Sequence, residues 1–408
     1  MKSELNLGAV PTRLGRLAPV AAGIAMAMAT MAPGTVIAAS GSGCFKTANQ
    51  LFQGCRADVM EERRTGNATC LNVGDGHERR ECRAEVRETV AEDNEECFDV
   101  RQARWDACEL LGEDIYDPDP LTVEALFSPE EVADGTAPQN PYFDLREGQT
   151  FVLRTVEFED GEFEETGGIV VGTVLEADEA VEIEGQYCTT VTEVELQSEE
   201  EEDEDEAGEI DFFVTENTND YFALTEYSDI IYCGETTLAA EDDQPLLLTD
   251  DGSFIAGFEG AKAGYLLRNV PPIGTAERTE WALDEAEDIV EYLSDATEPD
   301  EEFGGNNTNQ VGYSCAGDQC LGTRDTDPLG PDESELKFYK PGVGFVLALD
   351  FEDGEFTGER EELLCDFETL GDFYAMGQAA CGFSAMEFEE ITEDLSEVAP
   401  DSFCPDDD

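Results

Sequence analysis

Histidine is almost absent from this chain of 408 residues, and His77 is the only one. Ser-His-Asp and Cys-His catalysis both set an imidazole beside the nucleophile, so neither is expected here. The sequence also has no His-Glu-x-x-His, no Gly-x-Ser-x-Gly and no Gly/Lys loop able to cradle a phosphate. Basic residues are scarce, with 22 Lys+Arg against 98 Asp+Glu and a net charge of −76. Such a chain repels nucleic acid and anionic membrane surfaces, so neither is expected as a partner. Beyond the N-terminal leader no apolar run is long enough to span a bilayer, and no membrane insertion is expected once the leader is removed.

What is present begins with an export signal. Lys2, Arg13 and Arg16 precede an Ala/Met-rich run from Leu17 to Ala39, and Ala38 and Ala39 suit cleavage near Ser40. A retained anchor is the alternative, but Pro19, Gly23, Pro33 and Gly34 interrupt the run. Gly41-Ser42-Gly43-Cys44 lacks the apolar residue that a lipidated cysteine needs three positions earlier. The expected location is secreted or periplasmic. Without residues 1–39 the chain holds 19 Lys+Arg and 97 Asp+Glu. Two readings of this acidity are adaptation to high salt and a sink for divalent cations. Acidity spread over the whole chain favours the first. The spread is uneven all the same: residues 44–108 hold 10 basic and 14 acidic residues, and the remaining mature chain holds 9 and 83. That shift marks a domain boundary.

Six cysteines fall in the near-neutral segment, at Cys44, Cys55, Cys70, Cys82, Cys97 and Cys108. Their intervals are 11, 15, 12, 15 and 11, a palindrome. Spacings of 11 and 15 are close to whole numbers of helical turns, so each set of three shares one helix face. Folding the chain at Asp75-Gly76 brings the rows together as Cys44–Cys108, Cys55–Cys97 and Cys70–Cys82. Among fifteen connectivities, mirror symmetry selects this one if both arms are helical. Glu78 to Glu88 is rich in helix formers, and Phe45 to Arg64 has no proline. Gly66-Asn67 and Gly74-Asp75-Gly76 read as breakers between the arms. Residues 40–110 are therefore expected to form a disulfide-stapled helical hairpin, a unit too small to rely on a buried core. The segment has no Cys-x-x-Cys, which argues against zinc or haem.

Residues 111–139 read as a linker, with a helix start signalled at Ser128-Pro129-Glu130-Glu131. Residues 140–360 read as an acidic antiparallel β domain, and 361–408 as an acidic C-terminal extension. Strands are expected at Thr150–Phe158, Gly168–Leu175, Tyr187–Val194, Ile210–Val214, Tyr221–Thr225, Ile230–Cys233, Phe254–Phe258, Lys337–Tyr339 and Gly344–Leu349. Phe158-Glu159-Asp160-Gly161-Glu162-Phe163 recurs as Phe351-Glu352-Asp353-Gly354-Glu355-Phe356, and both read as Asp-Gly hairpins. Residues 281–293 fit a helix by propensity and a strand by their setting, and the sequence does not decide. The fold class is α+β, a helical hairpin followed by a mainly antiparallel β domain.

Asn140-Pro141-Tyr142-Phe143 with Leu145, Gly148 and Phe151, then Cys320-Leu321-Gly322-Thr323-Arg324-Asp325 and Phe338-Tyr339-Lys340-Pro341-Gly342-Val343-Gly344, resemble a family of uncharacterised secreted bacterial proteins. The likeness spans residues 140–355. Asp144 and Phe151 depart from the family's Pro and Trp. The resemblance implies a β-rich exported domain and carries over no catalytic residue.

No catalytic or cofactor-binding residue is nominated. Carboxylates are too abundant to single out a glycosidase pair. Asp325, Asp327 and Asp332 have a spacing that suits calcium, although Pro328 breaks an EF-hand pattern. The run Glu199 to Glu206 reads as a solvated loop. Outside the hairpin, Cys315–Cys320 and Cys188–Cys233 are the expected pairs. Cys365, Cys381 and Cys404 are left unassigned, with Cys404 the candidate free thiol. The function expected is that of a non-catalytic acidic scaffold or binding module of the cell envelope or exterior, its hairpin arginines offered to a protein partner, to the acidic body or to another copy. A calcium-dependent surface protein and a carboxylate-based glycan hydrolase are the alternatives.

Overall fold

The structure, a computed structural model, describes residues 43–159, 162–199, 211–240, 247–249, 252–294 and 320–399. The leader, the acidic run from 200 to 206, Cys315 and Cys404 lie outside the described residues.

Two long helices open the chain, α1 (Gly43–Leu71) and α2 (Glu78–Leu111). Three disulfides join them as Cys44–Cys108, Cys55–Cys97 and Cys70–Cys82, the rungs that mirror spacing at whole turns predicts. Between the rungs, Phe52 meets Phe98 at 4.8 Å, and the Arg101 guanidinium lies 4.2 Å from the Phe52 ring centre. Gly66-Asn67 does not break the first arm, because α1 runs through it. A Cβ on Gly66 would come within 2.8 Å of the Val86 side chain. The glycine permits close helix approach instead of ending the helix. Gly112, at φ 64°, caps α2 by donating to Cys108 O.

The expected linker is built structure. It holds α3 (Pro120–Val123), capped by Asp119, and α4 (Pro129–Ala133), which opens on a full Ser128/Glu131 capping box. Leu121 and Val132 are fully buried against the β body, and that apolar burial fixes the segment.

The body is a single antiparallel sheet. Its strands are β1 (Thr150–Glu159), β2 (Glu162–Val174), β3 (Val181–Ile183), β4 (Gln186–Glu199), β5 (Asp211–Leu224), β6 (Ile230–Ala240), β7 (Leu247–Thr249) and β8 (Phe254–Ile255). There follow β9 (Lys262–Leu267), β10 (Ala276–Arg278), β11 (Glu280–Trp281), β12 (Ile289–Ser294), β13 (Leu321–Thr326), β14 (Glu333–Lys340), β15 (Gly344–Glu352) and β16 (Glu355–Phe367). The order runs β10-β12-β13-β14-β15-β16-β1-β2-β4-β5-β6-β9-β11. Because β10 and β11 are separated only by Thr279, one continuous stretch pairs with β12 on one side and β9 on the other. The sheet therefore closes on itself as a barrel, with this stretch as its seam. Residues 281–293 are not helical, since sheet pairing overrides helix propensity there: Trp281 ends β11, a turn closed by the Ala282–Ala286 bridge follows, and Ile289 begins β12. The segments expected at 210–214 and 221–225 are one strand, β5. Asp353-Gly354, both at positive φ, forms the tight turn between β15 and β16.

The boundary expected at residue 360 falls inside β16, which pairs with β1 along most of its length. After it come α5 (Leu370–Cys381) and α6 (Ala385–Val398). Phe373, Ile391 and Leu395 lay these helices on the outward side chains Val152, Val171 and Val194 of β1, β2 and β4. Cys365–Cys381 ties α5 to β16, and Cys188–Cys233 links β4 to β6. Cys320 is disulfide-bonded as well. So many disulfides place the protein in an oxidising, extracytoplasmic compartment. Among the described residues no helix is long and apolar enough to cross a membrane.

Hairpin and body form one compact unit. Arg104 of α2, 5% exposed, donates through Nε and Nη2 to the Glu287 carboxylate at 2.6–3.1 Å and through Nη2 to Asp284 at 2.6 Å. Near the hairpin base, Arg278 of β10 donates to Glu113 at 2.5 and 2.8 Å. Tyr116 donates to Ala263 O at 2.7 Å.

Candidate functional site

The barrel encloses a cavity of about 330 Å³. Strand alternation builds it. On β4, Val191 and Glu193 point inward while Val194 and Leu196 point outward under α6. The same alternation turns Asp220 and Phe222 inward from β5, Lys337 and Tyr339 from β14, and Glu361 and Leu363 from β16.

The two ends of the lumen differ. At the end where β1, β6 and β15 begin, the 125–148 segment is stitched across the strand ends. Phe127 N–H donates to Leu224 O, Glu226 N–H to Ala125 O, Gly148 N–H to Val174 O and Gly342 N–H to Pro141 O. Asn140 anchors this plug, donating from Nδ2 to Ser228 O at 2.8 Å and accepting from Tyr142 N–H at 2.8 Å. Two of the three motifs that carry the family resemblance thus meet at one place, the Asn-Pro-Tyr-Phe segment against the Pro-Gly-Val-Gly turn. Here Phe143, Phe151, Phe222, Leu266, Val343 and Phe345 face the cavity, together with Asp144, Gln149 and Asp366.

Further along the lumen the wall turns acidic. Glu193, Asp220, Glu235, Glu280, Asp288 and Glu361 line it. Lys337 is the one basic side chain of the lining, and Asp325 at 3.1 Å and Glu335 at 2.8 Å already hold its ammonium. Burial, reinforced by neighbouring carboxylates, disfavours ionisation of five of these groups. The Asp220 carboxyl is pushed up to about 8, Glu361 to about 8 and Asp288 to about 7, and Glu193 and Glu280 rise well above the usual range. Tyr232 links part of this wall, its hydroxyl lying between Asp220 Oδ1 and Glu235 Oε2.

The three aspartates expected to bind calcium have separate surroundings. Asp325 faces the lumen and pairs with Lys337. Asp327 accepts from Leu329 N–H at 2.8 Å in the turn after β13. Asp332 is exposed. Among the described residues no three His, Cys, Asp or Glu groups converge in a way that could hold a metal ion. His77 sits exposed at the hairpin tip, 3.0 Å from Glu81. Of the lumen carboxylates, the sequence singles out only Asp325, and for calcium. The available signal was strands apolar on both faces, such as Tyr221 to Leu224, interrupted by single acids.

No family model matches this chain, and no curated protein does. Among solved structures, a protein assigned as exported from Bacteroides fragilis, with a YmcC-like fold, aligns over 56% of this chain and 99% of its own, at 12% identity and a TM-score of 0.27. A protein assigned as a lipoprotein from Parabacteroides distasonis aligns over 56% and 99%, at 8% identity and a TM-score of 0.23. Neither likeness bears on function.

Proposed function

We propose that this protein is an exported, non-catalytic binding module that holds a small molecule inside its barrel. The observation that carries this reading is the lumen: a cavity of about 330 Å³, closed at one end by a built plug and lined there mainly by aromatic and aliphatic side chains. Its size falls in the range of ligand pockets, and its wall combines aromatic side chains with a few polar groups. The helical hairpin is a rigid arm on this module. Arg104 is engaged with the body, while Arg56, Arg63, Arg64, Arg80 and Arg87 remain exposed along the arm for a protein partner.

The test is saturable binding of N-phenyl-1-naphthylamine, a neutral apolar fluorophore, in molar NaCl. Val343→Trp and Leu266→Trp narrow the apolar end and should weaken binding at least about tenfold. Absence of saturable binding to the native protein, or unchanged binding by both variants, refutes the reading.

A further inference from the structure

Beyond that reading, Asp220, Tyr232 and Glu235 of the cavity wall belong to a longer hydrogen-bonded chain along β5 and β6. Six side chains form a chain of contacts: Glu216 to Thr218 at 2.9 Å, Thr218 to Thr237 at 3.0 Å, Thr237 to Glu235, Glu235 to Tyr232 at 2.5 Å, and Tyr232 to Asp220. Each of these five hydrogen bonds needs one proton, and the three hydroxyls supply only three. The other two protons come from the carboxyl groups at the two ends, Glu216 donating to Thr218 and Asp220 to Tyr232. The wall therefore holds acid protons in place of counter-cations.

A second observation lies on the seam. Glu280 lines the cavity at 6% exposure, no hydroxyl, amide or basic donor reaches its Oε2, and its carboxyl group shares a hydrogen bond with Asp288. A buried carboxylate oxygen left bare is costly unless a donor reaches it. Glu280 interacts electrostatically with Glu235, and Tyr232 with Glu280, so the bare oxygen shares its field with the protonated wall. The other charged groups facing this space are Asp144 of the plug, Glu193 of β4, Asp288 before β12, Asp325 of β13, Glu361 and Asp366 of β16, and Lys337, whose ammonium is already held.

We propose that the lumen binds an organic ammonium with an apolar body, seating the cationic group among Asp220, Glu235 and Glu280 and the body against Phe151, Phe222 and Phe345, and that binding expels carboxyl protons. The proposal rests on the lumen being the ligand site. An anion is disfavoured by the carboxylate wall. A metal ion lacks a converging set of three donors among the described residues. An ammonium supplies N–H donors to bare and shared carboxylate oxygens, and a hydrocarbon body fills the aromatic end. In the exchange, an O–H bond of a wall carboxyl breaks, its proton passes to solvent, and the ammonium keeps its own protons.

Octylammonium and 1-octanol, matched in their apolar part, are compared as competitors of N-phenyl-1-naphthylamine near neutral pH in molar NaCl, where surface carboxylates are screened. Calorimetry in two buffers of different ionisation heat counts protons released. The expected result is octylammonium binding at least about tenfold tighter than octanol, with proton release. Glu280→Gln and Glu235→Gln should each weaken the amine and leave octanol unchanged. Asp220→Asn should reduce the protons released. Equal binding of amine and alcohol, or amine binding with no proton release, overturns the proposal and leaves the lumen reading standing. Failure of the naphthylamine itself to bind overturns both.

Discussion

The buried carboxyl of Asp220 gives this protein a pH dependence opposite in sign to ordinary acid denaturation. Asp220 is 8% exposed, and burial together with Glu235 raises its carboxyl from 3.8 to about 8. Below the unfolded value both states hold the proton, and folding stability is unaffected by it. Between the two values the unfolded chain releases the proton while the folded chain keeps it, so stability falls as pH rises. Above about 8 the loss is complete. A shift of about four units corresponds to on the order of 5 kcal/mol, accruing at roughly 1.4 kcal/mol per pH unit. Asp220→Asn removes the titration and keeps a donor for Tyr232. The variant should match the native protein near pH 4 and exceed it by about 4 kcal/mol by pH 7 to 8. Urea unfolding followed by circular dichroism, at several pH values in one and three molar NaCl, measures the difference. Self-repulsion of surface carboxylates also grows with pH, but salt screens it, and the gap between variant and native protein should persist in both salts. A gap independent of pH, or one abolished by salt, refutes the reasoning.

Other perturbations test the joints of the fold. Arg104→Met strands the Glu287 carboxylate, which is 3% exposed, and should cost about 3–5 kcal/mol; Arg104→Met with Glu287→Leu should recover most of it in the same unfolding assay. Replacing both cysteines of Cys55–Cys97, separated by 42 residues, should cost about 4 kcal/mol, against about 3 kcal/mol for Cys70–Cys82, separated by 12. Hydrogen exchange of hairpin amides reads that order, and the reverse would contradict the loop-entropy account. Gly264→Ala would bring a Cβ to 2.3 Å from the Arg278 carbonyl oxygen, so β9 must shift at the seam. A loss of about 1–3 kcal/mol with faster amide exchange at Ala263 is expected.

The hairpin was legible because its information is local and periodic. Helical turns convert cysteine spacing directly into facing positions, and one turn generates the mirror. The strands of the body were partly legible from β-branched and aromatic runs. Barrel closure was not, because it depends on three residues of β10 and two of β11 whose short, polar sequence carries no strand signal. The C-terminal helices were masked by acidity. Phe388, Ile391 and Leu395 form a helical stripe, but the intervening Glu389, Glu390, Glu393 and Asp394 made composition read as an extension. The lumen escaped notice for a related reason. A carboxylate at an inward position looks the same in sequence as one facing water, and only closure of the sheet makes it buried.

The seam has a mechanical meaning. Its pairings are short, three residue pairs to β12 and two to β9. The same stretch carries Arg278, gripped by Glu113 at the hairpin base, and leads directly to Asp284 and Glu287, which hold Arg104. The hairpin is therefore a lever, about 44 Å long at 1.5 Å per residue over α1, fastened to the weakest joint of the barrel wall. Force applied at its far end is delivered to the few hydrogen bonds that keep the lumen shut.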